Sequence, residues 1–242
     1  MGRIAYDDRE AAAFEANRHL SEASLDAWRE AVGRHVSPRP GQRLLDLGSG
    51  TGSWARAFTQ WFPGVEVLAV DPSAAMRARS LHLPVVDGHA AQLPIGDGSV
   101  DAVWMSTVIH HVPDLGAAAG ELRRVLRPGA PLLIRSVFAG RHDGLALVRC
   151  FPEAAEVLDT YPSVADVEAA FRDGFRTVAL ERVPQTTAPS WREAAQALRR
   201  DAHTPLKLIS DEAYAAGLVR LRRFAETEPG PVVDALDLLV LA

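Results

Sequence analysis

The sequence is poor in several features that would each indicate a particular class of protein. Its 242 residues include one cysteine, Cys150, which excludes a disulfide within the chain. It has no uncharged apolar run of about 18 residues, and its start leads directly into the charged residues 7–10. Acidic side chains outnumber basic ones by 31 to 26, so the basic excess typical of nucleic-acid binding is missing. These absences predict a cytoplasmic protein that binds neither membrane nor nucleic acid.

The composition is that of a soluble globular protein, with 48% hydrophobic and 24% charged residues. This mixture excludes a disordered chain, a collagen and a coiled coil. A chain of 242 residues is long enough for one α/β domain, with or without an added segment.

A βαβ unit is the first recognisable pattern. Residues 43–47 form a short apolar run that leads into the glycine-rich turn 48–52. Apolar residues recur at helical spacing over 54–62, and a proline–glycine pair then ends the helix. A second apolar strand follows at 65–70. The two strands of such a unit are parallel.

The alternation of strands and helices continues to the end of the chain. The apolar periodicity predicts strands at 84–86, 100–107, 130–137, 175–183 and 236–241, and helices at 114–126, 163–173, 190–200 and 211–225. The first forty residues are also predicted to be helical. The whole pattern indicates a doubly wound α/β fold.

The glycine turn has the spacing of one particular kind of nucleotide site. Glycines 48, 50 and 52 follow a strand and open a helix, where a backbone that lacks Cβ atoms can approach a ligand closely. The third glycine of a dinucleotide fingerprint is replaced by Ser53, which disfavours an NAD-dependent oxidoreductase, and no P-loop lysine follows. Asp46 precedes the turn, and Asp71 ends the next strand, where an acid accepts hydrogen bonds from ribose hydroxyls. These features predict a cofactor with an adenosine and an amino acid but no pyrophosphate.

Four further ordered motifs carry a family resemblance. They are Asp-Gly-His-Ala at 87–90, Leu-Pro-Ile-Gly-Asp-Gly-Ser-Val-Asp at 93–101, Ser-Thr-Val-Ile-His-His-Val-Pro-Asp at 106–114 and Leu-Arg-Arg-Val-Leu-Arg-Pro-Gly at 122–129. Together with the glycine turn, they make the sequence resemble the class I S-adenosylmethionine-dependent methyltransferases. Within that family it is similar to the small-molecule enzymes that contain a "Methyltransferase type 11"-like domain. Val100 stands where the group usually has phenylalanine, and the resemblance is dense over residues 40–137.

The resemblance implies a fold and a division of the chain. The fold is a Rossmann-like, seven-stranded, mostly parallel sheet of order 3-2-1-4-5-7-6, with the last strand antiparallel and helices on both faces. Residues 1–242 would form one methyltransferase domain. It would comprise an N-terminal helical cap (1–40), a cofactor core (41–140) and a substrate-side half (141–242). The cap and a helical insertion at about 184–231 would together form a lid over the site.

The same resemblance implies S-adenosylmethionine as cofactor, S-adenosylhomocysteine as product and no metal. The implied cofactor contacts are Asp46, Gly48, Ser49, Gly50, Gly52, Asp71, Pro72, Met76, Asp87, Gly88, His89, Ser106, Thr107 and Tyr6. The glycines would line the methionyl part, Asp71 would hold the ribose, and Asp87 would accept from the adenine amino group. Three of these residues have an alternative interpretation. Met76 could be a core residue, Asp87 could cap a turn, and Tyr6 could belong to a loose tail.

The candidates for chemistry follow the fourth strand. His110 and His111 lie beside the expected methyl donor, and the ordinary histidine pKa near 6.5 suits a general base. The alternative is that the pair packs beneath the next helix or contacts the cofactor. The substrate candidates are of two kinds. Arg135 and Arg141 could clamp an anionic substrate, or they could be solvated arginines. Phe14 and Trp191 could line an apolar pocket, or they could belong to the core. Tyr161 is one of several weaker candidates.

The predicted function is methyl transfer by in-line displacement to an O, N or C nucleophile of a small, secondary-metabolite-like molecule. A macromolecular substrate is disfavoured, because Asn17 is the only asparagine and the Asn-Pro-Pro-aromatic motif of many such enzymes cannot occur. A protein that binds the cofactor without transferring methyl, in a structural or pericyclic role, stays open because one fold hosts many functions. The acceptor molecule and the oligomeric state also stay open.

Overall fold

The computed structural model describes residues 22–242 of the chain. Tyr6, Phe14 and most of the proposed N-terminal cap lie outside the described residues. The first described helix, α1 (Glu22–Val36), buries Trp28 and Val32, which lie one turn apart on the same face.

Seven strands form a single sheet. They are β1 (Arg43–Leu47), β2 (Glu66–Val70), β3 (Val85–Val86), β4 (Ala102–Ser106), β5 (Leu132–Ser136), β6 (Thr177–Ala188) and β7 (Val232–Leu241). Their order is β3-β2-β1-β4-β5-β7-β6, and β7 is antiparallel to both of its neighbours. The predicted order and the antiparallel last strand are confirmed.

Helices connect the strands and cover both faces of the sheet. They are α2 (Ser53–Trp61), α3 (Ala74–Ala78), α4 (Leu115–Val125), α5 (Ala146–Cys150), α6 (Ala154–Leu158), α7 (Val164–Phe171), α8 (Trp191–Ala197), α9 (Thr204–Leu208) and α10 (Asp211–Thr227). Serine or aspartate side chains cap several of them. In α7 the cap is reciprocal, since Ser163 and Asp166 exchange side-chain and backbone hydrogen bonds. No helix within residues 22–242 has the length and apolarity that crossing a membrane requires.

The central strands are buried on both faces, which explains their continuous apolar runs. On one face, Leu45, Met105 and Ile134 pack against α4 and α7. On the other face, Trp104 and Leu133 join a cluster with α1 and α2 that is rich in tryptophan and phenylalanine. The sheet is therefore the middle layer of a three-layer sandwich, and its strand ends are free to form a site.

The helices between β6 and β7 share a small core with the segment 150–154, which precedes β6. Phe151, Trp191 and Leu221 are buried there. Gly217, in the middle of α10, faces Phe151 so closely that an added Cβ would lie 1.9 Å from the ring atom Cδ1. The glycine therefore permits the close contact between α10 and the segment after α5.

Two boundaries differ from the sequence prediction. Strand β6 continues to Ala188, so the helical insertion begins at residue 189, five residues after its predicted start at 184. Its partner β7 begins at Val232, earlier than the predicted 236. The reason is that the two strands pair along their whole length and Pro184 lies within the edge strand, where a missing N–H donor is tolerated.

Candidate cofactor and active site

The glycine turn lies between the end of β1 and the start of α2. Gly48, Gly50 and Gly52 have φ values of 71°, 55° and 77°, a left-handed conformation that favours glycine. Neighbouring residues also crowd the turn, since a Cβ on Gly48 would lie 2.4 Å from Cγ2 of Val108, and one on Gly52 would lie 2.3 Å from Oγ of Ser80. The glycines thus meet both a backbone and a space requirement.

Asp71 connects this turn to the end of β2. Its Oδ2 accepts a hydrogen bond from the Gly50 N–H at 2.8 Å, and its Oδ1 accepts one from the Ser73 N–H at 2.8 Å. Burial raises the pKa of Asp71 above its ordinary value, while these two N–H donors oppose the rise. Because a carboxylate oxygen has two acceptor positions, each oxygen keeps one for a further donor.

Asp46 and Ser49 bring unsatisfied polar atoms to the same place. Within the described part of the chain, Asp46 Oδ2 and Ser49 Oγ are buried and have no hydrogen-bond partner. Burial raises the pKa of Asp46 to about 8, nearby Asp71 contributes to the rise, and a hydrogen bond from the Ala55 backbone opposes it. Unsatisfied buried polar atoms are costly and call for an explanation, which a ligand at this turn would supply.

The residues expected to contact the adenine lie near the ends of β2 and β3. Asp87 is largely exposed, and its carboxylate pairs at 3.0 Å with Arg77, which also donates to the Asp71 carbonyl. Gly88 is tightly placed, because a Cβ there would lie 2.8 Å from Pro94. Met76 is buried at 2% exposure, in agreement with its alternative reading as a core residue.

The remaining adenine candidates differ in exposure. Pro72 is exposed, and His89 is half-buried with its N–H donated to the Gln92 carbonyl. Arg77 was not a sequence candidate. A basic residue in a short helix between two acids is the only signal that could have indicated it.

Two histidines follow the end of β4. Thr107 has a φ of 55°, uncommon for a residue with a side chain, and its N–H donates to the Arg135 carbonyl at 2.7 Å. His110 and His111 then form a short 3-10 turn with ring centroids 4.1 Å apart. The ring of Tyr161 stacks on His110 at 4.1 Å with an interplanar angle of 1°. Tyr161 therefore belongs to the site more clearly than the sequence indicated.

Arg135 lies at the end of β5, beside Ser106 at the end of β4. Its guanidinium donates to Ser106 Oγ at 3.0 Å and to Gln185 Oε1 at 2.6 Å. It also lies 4.8 Å from the ring centroid of Trp28 and 5.3 Å from that of Trp54. The side chain is 5% exposed, so the alternative reading of a solvated arginine is wrong.

Arg141 and Trp191 are engaged elsewhere. Arg141 forms a two-bond ion pair with buried Asp237, at 2.6 and 2.8 Å. Trp191 lies in the core of the insertion, 4.9 Å from the ring of Phe224 and 5.0 Å from the guanidinium of Arg149. Neither residue is part of the candidate site, whose described members surround the ends of β1, β2, β4 and β5. Among residues 22–242, no group of three or more metal-ligating side chains exists.

Comparison with known proteins agrees with this arrangement. Residues 45–134 match the family model described as a methyltransferase domain. The matched part of the chain is a methyltransferase domain, and the strand order and site geometry support a class I S-adenosylmethionine-dependent methyltransferase.

The chain is similar to proteins that are named as methyltransferases. It is 29% identical over 236 residues to the 27-O-demethylrifamycin SV methyltransferase of Amycolatopsis mediterranei, with 91% of this chain and 83% of the relative covered. It is 39% identical over 111 residues to the demethylmenaquinone methyltransferase of Beutenbergia cavernae. That match spans 44% of this chain and 45% of the relative, so the chain covers about half the length of the second protein.

Solved structures confirm the fold of this chain. The phosphoethanolamine N-methyltransferase 2 of Haemonchus contortus aligns with a TM-score of 0.62 at 20% identity, covering 98% of this chain and 57% of that one. The [4+2]-cyclase SpnF aligns with a TM-score of 0.59, also at 20% identity, covering 93% and 83%. At these identities, the likeness concerns the fold alone.

The residues of the site fit the cofactor of the class I methyltransferases, S-adenosylmethionine. The buried, unsatisfied oxygens of Asp46 and Ser49 suit the ammonium and carboxylate of a methionyl group. The open acceptor positions of Asp71 suit two ribose hydroxyls.

Proposed function

We propose that this chain moves the methyl group of S-adenosylmethionine to an O, N or C nucleophile of a small molecule and releases S-adenosylhomocysteine. The observation that carries the proposal is the hydrogen bond from Gly50 to Asp71, which joins the glycine turn to the ribose-binding acid. His110 and His111 follow the neighbouring strand end. The names of the relatives, which concern a rifamycin and a menaquinone precursor, support a small-molecule acceptor.

In this proposal the chain supplies binding, orientation and the exclusion of water. When bound, S-adenosylmethionine supplies a methyl group activated by a sulfonium. Asp71 accepts hydrogen bonds from the ribose hydroxyls, and Asp46 and Ser49 bind the polar end of the methionyl group. The protein then gains rate by holding the acceptor in line with the methyl group. In this proposal the insertion at 189–231 covers the site and sets specificity.

A protonated acceptor also needs a base. We assign this role to His110 or His111, whose rings are in contact with each other just past β4. The stacked ring of Tyr161 limits the rotation of the His110 ring. The alternative is that the pair only supports the cofactor pocket, in which case removing either imidazole would alter cofactor affinity rather than turnover.

Calorimetry tests the cofactor. We expect S-adenosylmethionine and S-adenosylhomocysteine to bind and NAD to give no heat. Asp71→Ala removes the acceptors for two hydrogen bonds and should weaken binding by about 10- to 100-fold. Asp97→Asn, an exposed carboxylate paired with Arg124, is the matched control and should bind normally. Unchanged affinity in Asp71→Ala would disprove the ribose assignment.

Turnover measurements test the base. His110→Ala and His111→Ala are compared for the rate of S-adenosylhomocysteine release with a small-molecule acceptor panel. One of them should lose about 100-fold or more in kcat while its cofactor dissociation constant stays within about twofold of the parent. Equal turnover in both variants would remove the histidines from the mechanism. Cofactor binding without S-adenosylhomocysteine release from any acceptor would favour the non-transferring alternative, a role that the fold alone does not exclude.

Three wider predictions accompany this proposal. The chain would act as one methyltransferase domain, in the cytoplasm, and would bind neither nucleic acid nor membrane. The single domain is supported by the chain length and the family resemblance. The cytoplasmic location and the lack of membrane binding are supported by the absence of a long apolar run, and the lack of nucleic-acid binding by the acidic charge balance. Filter binding to RNA and to anionic vesicles at low salt would test the third prediction, because electrostatic binding is strongest there.

A further inference from the structure

Arg135 contacts several elements of the fold beside the proposed site. It lies on β5 as the register neighbour of Ser106 on β4, and its donors reach Ser106 and Gln185. Ser106 is an expected neighbour of the methionyl group, whereas Gln185 lies on the edge strand β6. One guanidinium thus connects the cofactor side of the sheet to its far edge.

Two tryptophans extend this connection to the helices. Trp28 of α1 lies beneath the guanidinium and donates its Nε1–H to the same Gln185 oxygen at 3.2 Å. Trp54 of α2 lies two residues after Gly52 in the sequence. Its ring also lies within cation–π distance of the Arg135 guanidinium. The two tryptophan rings contact each other at 6.1 Å. The guanidinium of Arg135 therefore contacts both α1 and α2.

We propose that Arg135 is a positioning residue that fixes Ser106 and the glycine turn, so that the packing of α1 controls cofactor affinity. The inference rests on the proposed function for the identity of the cofactor. It replaces the interpretation of Arg135 as an anion clamp. The guanidinium is 5% exposed and directs donors at two protein oxygens, which is the environment of an organising arginine.

The two ends of this assembly have different consequences. Loss of the Arg135–Ser106 hydrogen bond lets the hydroxyl rotate away from its position at the strand end. Loss of the contact with Trp54 loosens the first turn of α2, directly after the glycine turn. Both changes lower cofactor affinity without removing any group that touches the cofactor.

The test compares Arg135→Met with Arg135→Lys. We expect Arg135→Met to weaken S-adenosylhomocysteine binding by about tenfold or more, and Arg135→Lys to recover part of it, because lysine keeps the charge but not the fork of donors. Trp28→Phe keeps a ring but loses the bond to Gln185, and should weaken binding by about threefold. Calorimetry gives the constants, and urea unfolding gives each variant's stability.

Leu132→Ala is the control for general destabilisation. Leu132 is buried at the opposite end of β5, so its loss should lower stability while the dissociation constant stays within about twofold of the parent. If Leu132→Ala weakens binding as much as Arg135→Met, the effect is general loosening and the proposal is wrong. The proposal is also wrong if Arg135→Met binds normally.

A double-mutant cycle then tests the route through Ser106. In a Ser106→Ala background, Arg135→Met should weaken binding by clearly less than it does in the parent, because the shared hydrogen bond is already gone. If the two substitutions weaken binding by factors that simply multiply in the double variant, the route through Ser106 is wrong. Should the parent protein itself fail to bind S-adenosylhomocysteine, it is the proposed function that fails, and this result is distinct from a variant that binds like the parent.

Discussion

Replacing Asp46 by asparagine is the perturbation for which the structure gives the clearest magnitude. The Asp46 carboxyl is buried at the end of β1, one oxygen has no hydrogen-bond partner among residues 22–242, and its pKa is raised to about 8. An unfolded aspartate has a pKa near 3.9. Asparagine has nearly the same shape and takes up no proton. The variant therefore isolates the electrostatic cost of this one group.

The sign of the effect follows from proton linkage. Between pH 4 and pH 8 the folded state holds a proton on Asp46 that the unfolded state has lost. The free energy of unfolding therefore falls as the pH rises through this window, and it levels off above the folded pKa. At 1.36 kcal/mol per pH unit, the difference amounts to about 5 kcal/mol across the window, as an upper figure.

Urea unfolding from pH 5 to pH 9 measures this difference. Relative to the parent, the free energy of unfolding of Asp46→Asn should rise steadily up to about pH 8. In thermal unfolding at pH 8, a gain of a few kcal/mol should raise Tm by about 5 to 15 °C. Asp97→Asn, an exposed carboxylate, should run parallel to the parent. Parallel curves for Asp46→Asn and the parent would refute the reasoning. Saturating S-adenosylhomocysteine should also reduce the difference, because its ammonium stabilises the charged carboxylate.

Three further experiments test local packing and the active-site ring. Gly48→Ala should cost about 2 to 3 kcal/mol in urea unfolding, from positive φ and the contact with Val108, and Val108→Ala should restore part of it. Gly217→Ala should lower stability by about 1 to 2 kcal/mol, because the contact with Phe151 outweighs the better helix propensity; a gain would contradict the close contact. Tyr161→Ala should lower kcat by about tenfold, whereas Tyr161→Phe keeps the stacked ring and should stay within about twofold; equal losses would assign the role to the hydroxyl.

The cofactor half of the fold was predictable because its signals are local. The glycine turn, the acid at 71 and the apolar strands lie within short stretches whose spacing carries the information. The resemblance supplied the strand order, which no local pattern contains. Short helices such as Ala146–Cys150 were missed because five residues are too few to show a helical period.

The environment of the substrate candidates was not predictable in the same way. Arg135 meets Gln185 across 50 positions of sequence, and Gln185 meets Trp28 across 157. A local sequence pattern does not reveal such long-range contacts. From the sequence alone, Arg135 could therefore be a solvated arginine or an anion clamp. Likewise, the stacking of Tyr161 on the histidine pair depends on how the loop after α6 returns to the sheet.

The pairing of β6 with β7 has a consequence for how this protein can change. Ala188 and Val232, which flank the insertion, are neighbours in the strand register. The 189–231 segment therefore leaves the sheet and returns to it at one point, as a closed loop. Lengthening such a loop costs little, since closure entropy rises only slowly with length. If this segment forms the acceptor pocket, as we propose, exchanging it would change the acceptor while the cofactor half keeps its sequence and its geometry.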